Sequence, residues 1–504
     1  MTNEIPPCLA TLPIELVYRI LDQLDELIIL TSVRNVCKRF NVITDSYYRY
    51  QTFTKVDLSS KRLDERTLRN LSDALQTNLT IESLTFHYNH INDGNVHYIA
   101  NILRNNLTLT VLNLYCGQIS CVGAQCLTNA LKDNHTLKII DLFDNQINNE
   151  GARCFADLLQ NNETLLALNL PLNNIDDEGV EYLANMLETN KTLTKLDLHQ
   201  NKIGFRGSQA LSRALQCNTT LVELNLNVCK IGDLAVQQLS MILPKNKTLI
   251  TLNLQANDIH DEGMQDLANA LKINTTLQTL GLQMNRIGSL GIQHLADALE
   301  SNTTITIVDL QGNQIDNEAA SYLAKVLEKN RTVTTLNLRA NLIGNDGLKY
   351  LAKALASNTT LTHMILSINQ IEDESVKHLA YALLTNSTLT VLNLQKNKIG
   401  CKGLLYLSNA LQTNTSLKCL NLRDNYLRDK GIKFLANALQ TNRTLESLDL
   451  DMNEISDQSA QYLLDALQNN MILTRLSIEC SNISASMSMS LTKILERNVS
   501  NRTK

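Results

Sequence analysis

Residues 249–276 read LITLNLQANDIHDEGMQDLANALKINTT, and the chain repeats this 28-residue unit sixteen times between Phe53 and Ser500 without insertion or deletion. The units begin at Phe53, Ile81, Leu109, Leu137, Leu165, Leu193, Leu221, Leu249, Leu277, Ile305, Val333, Leu361, Leu389, Leu417, Leu445 and Leu473. Repetition at this period is typical of a solenoid, in which each unit stacks only on its neighbours.

Each unit contains two different hydrophobic periods. Leu252 and Leu254 alternate with polar residues, which predicts a strand with one buried face. Met264, Leu267 and Leu271 follow at helical spacing, which predicts one buried stripe on a helix. A unit this small cannot bury both stripes alone, so the sequence predicts an α/β coil with a parallel sheet on the inside and helices on the outside.

An asparagine follows the strand in twelve units, as at Asn257. Its amide both donates and accepts hydrogen bonds, so we expect it to satisfy buried backbone groups where the chain leaves the strand. Lys61, Gly117, Cys229 and Ser481 replace it, the first and last of them in the terminal units, where a solvent-facing cap is expected. Six residues later a glycine recurs in nine units, for example Gly123 and Gly263, which indicates either a close backbone approach or a turn.

The pattern L-x-x-L-x-L-x-x-N-x-I, with its period, resembles the ribonuclease-inhibitor type of leucine-rich repeat over about nine-tenths of the chain. The resemblance implies a horseshoe-shaped leucine-rich-repeat solenoid of about sixteen units. Members of that family bind proteins, usually on the concave sheet. A repeat fold alone names no partner.

The segment before the repeats has a different character. Residues 8–50 contain no copy of the unit, and Pro13 suits the first turn of a helix. Leu16, Ile20 and Leu24 recur every four residues, and a second apolar set follows from Leu27 to Phe40. We expect two or three short amphipathic helices packed on one another. About forty residues are too few for a self-sufficient core, so this all-α module needs a partner or the adjoining repeats.

This leader resembles an F-box through Leu12-Pro13-x-Glu15-Leu16, Ile20-Leu21, Leu24, Leu30 and Val36-Cys37-Lys38-Arg39-Phe40. F-boxes dock on the Skp1 adaptor of cullin-based ubiquitin ligases, and the resemblance implies an adaptor contact formed by Leu12, Pro13, Leu16, Ile20, Leu24, Leu30 and Val36. The chain departs from the pattern at Asp25-Glu26, which lacks the usual proline. It also has no Trp, so Tyr47 or Tyr48 stands near the place of the family's late tryptophan.

The alternative is a helical cap that only shields the first repeat. In either case the sequence predicts a flexible N-terminus at 1–7, the helical module at 8–50, the solenoid at 53–500 and a tail at 501–504.

Composition excludes several classes of function. A net charge of −5 gives no general attraction to nucleic acid or anionic membranes. The N-terminus does not read as a signal peptide, and no apolar run approaches the roughly 20 residues that span a bilayer. Eleven cysteines without a paired framework favour the reducing cytoplasm, with the nucleus as the alternative. No catalytic triad, nucleotide fingerprint or metal-ligand spacing occurs, so we expect no catalysis, no cofactor and no metal.

Asn-x-Thr or Asn-x-Ser sequons occur in nearly every unit, as at Asn78, Asn106 and Asn134. Their constant spacing indicates a turn requirement at the end of the helix rather than glycosylation.

A candidate partner-binding surface lies on the outward face of the strands. Adjacent strands lie about 4.8 Å apart, so equal positions of successive units form rows across the sheet. The seventh and eighth positions of the early units collect aromatic and apolar residues in a chain that is only 4% aromatic. We therefore assign partner binding on the concave face to His87, Tyr88, Tyr115, Phe143, Leu172 and His199.

Two other readings bear on this face. The leader or a terminus could instead fold over the aromatic residues. The seventh row continues with Gln255, Gln283, Gln311, Arg339, Arg423, Asp451 and Glu479. The polar central rows read as a solvated sheet, although a polar ligand could use them, and the fifth-position Asn and Asp series reads as structural.

Two functions fit these observations. The first is the substrate-recognition subunit of a Skp1-cullin-F-box ubiquitin ligase, monomeric outside that complex, which holds a protein target on the concave face. The second is a stoichiometric repeat binder or inhibitor with no ubiquitin role. Deletion of residues 1–50 separates them, because only the first function requires the leader.

Overall fold

The computed structural model describes residues 12–33, 38–47, 52–478 and 483–502. The chain divides into two compact units, Met1–Lys230 and Ile231–Lys504. None of the helices in the described ranges is both long enough and apolar enough to cross a bilayer.

The leader forms the predicted short helices. Helix α1 (Ile14–Leu21) begins after Pro13, α2 (Glu26–Ile28) runs into a π-helical turn (Ile29–Val33), and α3 (Lys38–Ser46) follows. The Asp25 side chain accepts the Ile28 N–H at 2.9 Å and so caps α2, which also lowers the pKa of Asp25.

The rest of the first unit alternates strands with helices. In chain order these are β1 (Lys55–Asp57), α4 (Glu65–Gln76), β2 (Ser83–His87), α5 (Val96–Asn105), β3 (Val111–Tyr115), α6 (Cys121–Leu131), β4 (Ile139–Asp141), α7 (Asn148–Leu159), β5 (Ala167–Asn169), α8 (Asp177–Thr189), β6 (Lys195–Asp197), α9 (Phe205–Cys217) and β7 (Glu223–Asn225).

The second unit continues the alternation. Its elements are α10 (Gly232–Ile242), β8 (Thr251–Asn253), α11 (Asp261–Leu271), β9 (Thr279–Gly281), α12 (Ser289–Leu299), β10 (Ile307–Asp309), α13 (Asn317–Lys329), β11 (Thr335–Asn337), α14 (Asn345–Ser357), β12 (His363–Ile365), α15 (Asp373–Thr385), β13 (Val391–Asn393), α16 (Cys401–Leu411), β14 (Cys419–Asn421), α17 (Arg428–Thr441), β15 (Ser447–Asp449), α18 (Asp457–Leu467), β16 (Arg475–Ser477) and α19 (Ala485–Arg502).

Within each unit the strands pair in parallel with a register of one repeat, so that Leu84 lies opposite Leu112 in the first unit and Leu336 opposite Met364 in the second. The alternating strand leucines and the helix stripe are both buried; in the quoted repeat, Leu254 and Leu267 are each 0% exposed. The predicted fold class is confirmed: the chain is an α/β leucine-rich-repeat solenoid preceded by helices.

The asparagine after each strand does what its chemistry predicts. Asn285 donates from Nδ2 to the carbonyl oxygen of Leu254 in the preceding repeat (3.0 Å) and to that of Leu282 in its own repeat (3.1 Å). Its Oδ1 accepts the N–H groups of Asn257 and Ile259 at 2.9 and 3.1 Å. One amide therefore joins two repeats at the point where the backbone leaves the sheet.

The sequon asparagine forms a second buried ladder at the ends of the helices. Asn274, which is 3% exposed, donates from Nδ2 to the carbonyl oxygen of Leu243 at the end of the preceding repeat's helix (2.6 Å). Its Oδ1 accepts the N–H groups of Thr276 and Leu277 at 3.0 and 2.8 Å. The same residue is asparagine in all sixteen units, so the turn requirement accounts for the sequons.

Close approach, not a turn, explains the recurring glycine. Of the glycines in the described residues, only Gly232 and Gly312 have a positive φ, and neither of them is a recurring glycine. A Cβ built on Gly291 would lie 2.6 Å from Oδ1 of Asp261, and that carboxylate accepts the Gly288 N–H at 2.7 Å. An acidic side chain on one helix thus caps the next helix, and a side chain at Gly291 would displace it.

We expect Asn274→Ala to destabilise its repeat by about 2 to 4 kcal/mol, because two buried backbone groups and one partly buried group lose their partner. Hydrogen-exchange mass spectrometry should show faster exchange in the backbone between Leu243 and Leu277. Asn269→Ala is the matched control, since Asn269 lies exposed on α11 of the same repeat, and it should change stability by less than about 0.5 kcal/mol. Equal effects of the two substitutions would contradict the ladder.

Candidate functional site

The first compact unit, Met1–Lys230, carries a chain of aromatic rings on its outward sheet face. Strands β2 and β3 extend through their seventh positions, so His87 and Tyr115 are register partners. Their rings meet edge to face with centroids 5.9 Å apart, and Tyr115 meets Phe143 in the same way at 6.3 Å. Phe143 in turn lies 6.0 Å from His199. Rings on four repeats therefore form one continuous surface, which we call the aromatic row (His87, Tyr88, Tyr115, Phe143 and His199).

The aromatic row passes over Pro171. Phe143 and His199 stand two repeats apart, and the seventh residue of the repeat between them is the buried Pro171. Proline has a small side chain and no N–H, so the flanking rings are not separated by a larger group.

Tyr88 is the exposed end of the row. Its ring stacks on His87 with centroids 4.1 Å apart and is 58% exposed, whereas the other members are half-buried. The interaction of its hydroxyl with the Cys116 thiol raises the pKa of Tyr88, and burial raises the pKa of Cys116.

The eighth residue of these repeats has a backbone conformation that its residue type does not predict. Tyr88, Cys116 and Leu172 have φ values of 54°, 52° and 53°, in the left-handed region. That conformation costs a non-glycine residue about 1 to 2 kcal/mol. A hydrogen bond to the next repeat offsets the cost: the Cys116 N–H donates to the Phe143 carbonyl oxygen at 2.9 Å, and the Leu172 N–H donates to that of His199 at 3.0 Å.

Leu172 is the aliphatic member of the predicted set and lies in the repeat between Phe143 and His199. Its side chain is half-exposed in the eighth row. Five of the six predicted partner-binding residues are therefore brought together, and Leu172 lies beside them.

Carboxylates of the fifth position lie behind the rings. Asp141 accepts the Phe143 N–H at 3.0 Å and the Asn169 amide at 2.8 Å, and Asp197 does the same for His199 (3.0 Å) and Asn225 (3.0 Å). The structural interpretation of this series is confirmed, since these bonds join the repeats and orient the seventh residue.

The same carboxylates also give the aromatic row an acidic floor. Burial raises the pKa of Asp141. Burial, followed by the charge of Asp141, raises the pKa of Tyr115 to about 12. The His199 Nδ1 lies 3.0 Å from Asp197 Oδ1. Treating the fifth position only as repeat consensus missed this floor. The row can therefore accept an apolar side chain against its rings and a cationic group near its carboxylates.

The late end of the seventh row carries a buried carboxylate. Asp451 is 3% exposed, pairs with Arg423 at 2.8 Å and accepts the Ser477 hydroxyl at 2.8 Å. An intramolecular ion pair therefore covers the Asp451 carboxylate. Glu479 lies outside the described residues.

The leader presents some of the predicted adaptor residues and buries others. On α1, Leu16 and Ile20 are 44% and 36% exposed, while Val17 and Leu21 on the adjacent stripe are buried. Pro13 is exposed, Leu12 and Leu24 are half-buried, and Leu30 is fully buried. Val36 lies outside the described residues.

Two polar contacts tie the leader to the first repeat. Lys61, which replaces the strand-exit asparagine, pairs with Asp25 at 3.2 Å, and Asn70 on α4 donates to the Thr31 carbonyl oxygen at 2.9 Å. The terminal position of the first repeat predicts a solvent-facing cap, but in the structure this repeat contacts the leader. Its departure from the consensus provides a partner for the leader.

Comparison with known proteins agrees with this architecture. The family model described as "Leucine Rich repeat" matches twelve segments that together cover more than half of the chain: 133–156, 161–184, 189–212, 217–240, 245–268, 274–296, 301–324, 329–352, 357–380, 385–408, 413–436 and 441–464. The chain belongs to the leucine-rich-repeat family. No curated protein sequence matches it.

Two solved structures are similar to this leucine-rich-repeat protein. An internalin (InlF) from Listeria monocytogenes is 22% identical with a TM-score of 0.45, over 75% of this chain and 88% of its own. The actin-binding site 2 of leiomodin-1 is 19% identical with a TM-score of 0.27, over 37% of this chain and 91% of its own. Leucine-rich repeats bind proteins, and a protein-binding role follows for this chain.

We expect Tyr115 to titrate near pH 12 instead of at the ordinary 10.0 of tyrosine, because burial and the Asp141 charge disfavour the phenolate. The measurement is the phenolate absorbance of the wild-type protein minus that of Tyr115→Phe, with circular dichroism at each pH to verify folding. In an Asp141→Asn background the same difference should move to lower pH without reaching the ordinary value, since burial remains. A wild-type difference centred at the ordinary value would contradict this environment.

Proposed function

We propose that this leucine-rich-repeat protein is the substrate-recognition subunit of a Skp1-cullin-F-box ubiquitin ligase. The observation that carries the proposal is the outward apolar face of α1, where Leu16 and Ile20 stand exposed behind Pro13. Val17 and Leu21 of the same helix are buried, so the inward stripe of α1 is already packed and the exposed apolar residues beside it are free for a partner. These exposed positions belong to the set that the F-box resemblance assigns to the adaptor contact.

The interior of the leader supports the same assignment. Tyr47, near the place of the family's late tryptophan, is 0% exposed, donates from its hydroxyl to Asp22 Oδ1 at 2.6 Å and stacks on Tyr18 at 5.4 Å. Leu30 and Ile29 are also fully buried. Leu30 then supports the contact from beneath and does not touch the adaptor directly. The domain boundary at residue 50 is part of this proposal.

The leader's attachment to the first repeat gives the assembly its geometry. The Asp25–Lys61 pair and the Thr31–Asn70 hydrogen bond hold the leader against the repeats. A protein held by the repeats would therefore be held at a defined distance from the adaptor. The chain would contribute proximity and orientation, which raise the local concentration of the target at the ligase.

The target would be held on the aromatic row. Rings that are already packed on one another lose little conformational freedom on binding, so each one can contribute about 2 kcal/mol as an anchor. The half-buried carboxylates of Asp141 and Asp197 favour a basic residue beside an apolar one. We infer that the recognised segment of the target carries an apolar side chain next to Lys or Arg.

We expect Leu16→Asp to weaken the affinity for purified Skp1 at least about 100-fold, because a carboxylate placed in an apolar contact costs about 3 kcal/mol or more. Surface plasmon resonance with the full-length protein measures this. Leu107→Asp is the control of the same chemistry: Leu107 is 73% exposed in a turn of the repeats, so that change should leave Skp1 binding unaltered. Absence of wild-type binding to Skp1, or equal effects of both variants, would remove the ligase assignment.

A second test addresses the aromatic row. A photo-crosslinking phenylalanine derivative is introduced at Tyr115 or at Tyr426 in cells whose proteasome is inhibited. We expect the derivative at Tyr115 to yield at least about tenfold more crosslinked ubiquitinated protein than the derivative at Tyr426, because a few anchor residues usually supply most of the binding energy. Tyr426 is 54% exposed in the second unit and outside the row, which makes it the matched position. Equal yields would show that the target binds elsewhere.

A stoichiometric repeat binder, as the ribonuclease-inhibitor resemblance allows, is the second candidate. The contacts of the leader with Lys61 and Asn70 favour this second candidate, because a helical cap on the first repeat needs no other contact. In that case Leu16→Asp leaves all activity intact, whereas the aromatic row keeps its role.

A further inference from the structure

The helix side of the second unit carries an exposed aromatic series that the sheet-face function does not use. The eighteenth residue is aromatic or histidine in seven successive repeats: His294, Tyr322, Tyr350, His378, Tyr406, Phe434 and Tyr462. Most of these are half-buried, but Tyr350 is 47% exposed, and Tyr381 one turn beyond His378 is 59% exposed. Exposed aromatic side chains at this density are typical of interaction sites.

Tyr350 also lacks the polar partner that the tyrosines at the same position of other repeats have. The Tyr322 hydroxyl donates to Glu318 at 2.9 Å, and Gln458 donates to the Tyr462 hydroxyl at 3.0 Å. Asp346 stands four residues before Tyr350, where Glu318 stands before Tyr322, and its carboxylate is one methylene shorter. Among the described residues no hydrogen-bond partner reaches either the Tyr350 or the Tyr381 hydroxyl.

A groove of about 480 Å³ lies between α14 and α15 at these two tyrosines. Its rims include Lys349, Tyr350 and Lys353 on one helix and His378 and Tyr381 on the other. The short side chain of Ala356 leaves room for the groove, since the equivalent residue of the preceding repeat is the longer Glu328. The volume is in the range of sites that accept several side chains of a ligand.

The groove is positively charged. Lys349 and Lys353 project on its rim without an ion pair in the described part of the chain, and none of the described residues that line the groove carries a carboxylate. The acids of the two helices, Asp346 on one and Asp373 and Glu374 on the other, lie in their first turns. An otherwise acidic chain with a net charge of −5 therefore presents two unpaired lysines beside unpaired tyrosine hydroxyls.

We propose that this groove docks an acidic peptide segment of a protein partner, distinct from the target on the sheet face. The segment places an apolar side chain over Ala356 between Tyr350 and Tyr381, and its flanking carboxylates pair with Lys349 and Lys353 and accept the tyrosine hydroxyls. The acids in the first turns disfavour a nucleic-acid strand running across the helices, since its phosphates would pass them. A groove confined to two helices fits a short segment lying between them.

Selection of random dodecapeptides displayed on phage tests this, with the full-length protein and its Ala356→Trp variant as parallel baits. Ala356 is exposed, so the tryptophan fills the groove without entering the core. We expect peptides enriched only on the wild-type protein to carry Asp or Glu on both sides of an apolar residue. No groove-dependent enrichment, or enrichment without acidic residues, overturns the proposal.

The enriched peptide then serves as a labelled probe for fluorescence anisotropy. The double variant Lys349→Glu/Lys353→Glu should bind it at least about tenfold more weakly, since like charges replace the complementary ones. Lys430→Glu is the control, because Lys430 is equally exposed and lies on α17, away from the groove. A labelled decauridine is the competing probe: binding of that probe lost in the double variant, with no peptide binding, would reassign the groove to single-stranded nucleic acid.

Discussion

The rest of the structure depends on the buried amide of the helix-end asparagine. Each helix ends with carbonyl groups that have no partner in the helix, and each following strand begins with N–H groups that have none in the sheet. The side chain of Asn274 bonds one such carbonyl in the preceding repeat and two such N–H groups in its own chain segment, and two of these three bonds are fully buried. A shorter, longer or differently charged side chain could not make the three bonds together, which accounts for asparagine in every unit. A strict 28-residue period follows, because any insertion would move this amide out of reach of its neighbour.

The surface available for recognition follows from the same periodicity. Because the register is one full repeat, a residue type at a given position recurs about 4.8 Å away, and rings at the seventh position of the early repeats come into contact. The left-handed eighth residue turns the chain away from the sheet directly after those rings and leaves Tyr88 at the open end of the row. Asp141 and Asp197 serve both purposes, since they join neighbouring strands and also supply charge behind the rings.

Departures from the repeat consensus have different consequences in different repeats. Lys61 replaces an asparagine and reaches the leader through Asp25. Ala356 replaces a long polar side chain and opens the groove between α14 and α15. Cys229 substitutes for the strand-exit asparagine within the core, where its thiol donates to the Leu198 carbonyl oxygen and burial raises its pKa to about 12. Only the last of these changes is absorbed inside the solenoid, because a thiol can replace one of the amide's hydrogen bonds.

The sequence by itself determined the fold class, the strand and helix of each unit, the parallel register and the buried stripes, because all of these follow from hydrophobic period and from one repeated length. It also identified the amides at the ends of strands and helices as structural. Only the tertiary structure decided that Leu16 and Ile20 face outward from α1 while Val17 and Leu21 face inward, since on so short a helix either pair reads as an apolar stripe. Only the structure decided between close approach and a turn at the recurring glycine, and only the structure revealed the left-handed conformation of Tyr88, Cys116 and Leu172. That conformation is imposed by hydrogen bonds to the next repeat and leaves no preference in the residue types themselves, so no local pattern in the chain could have announced it.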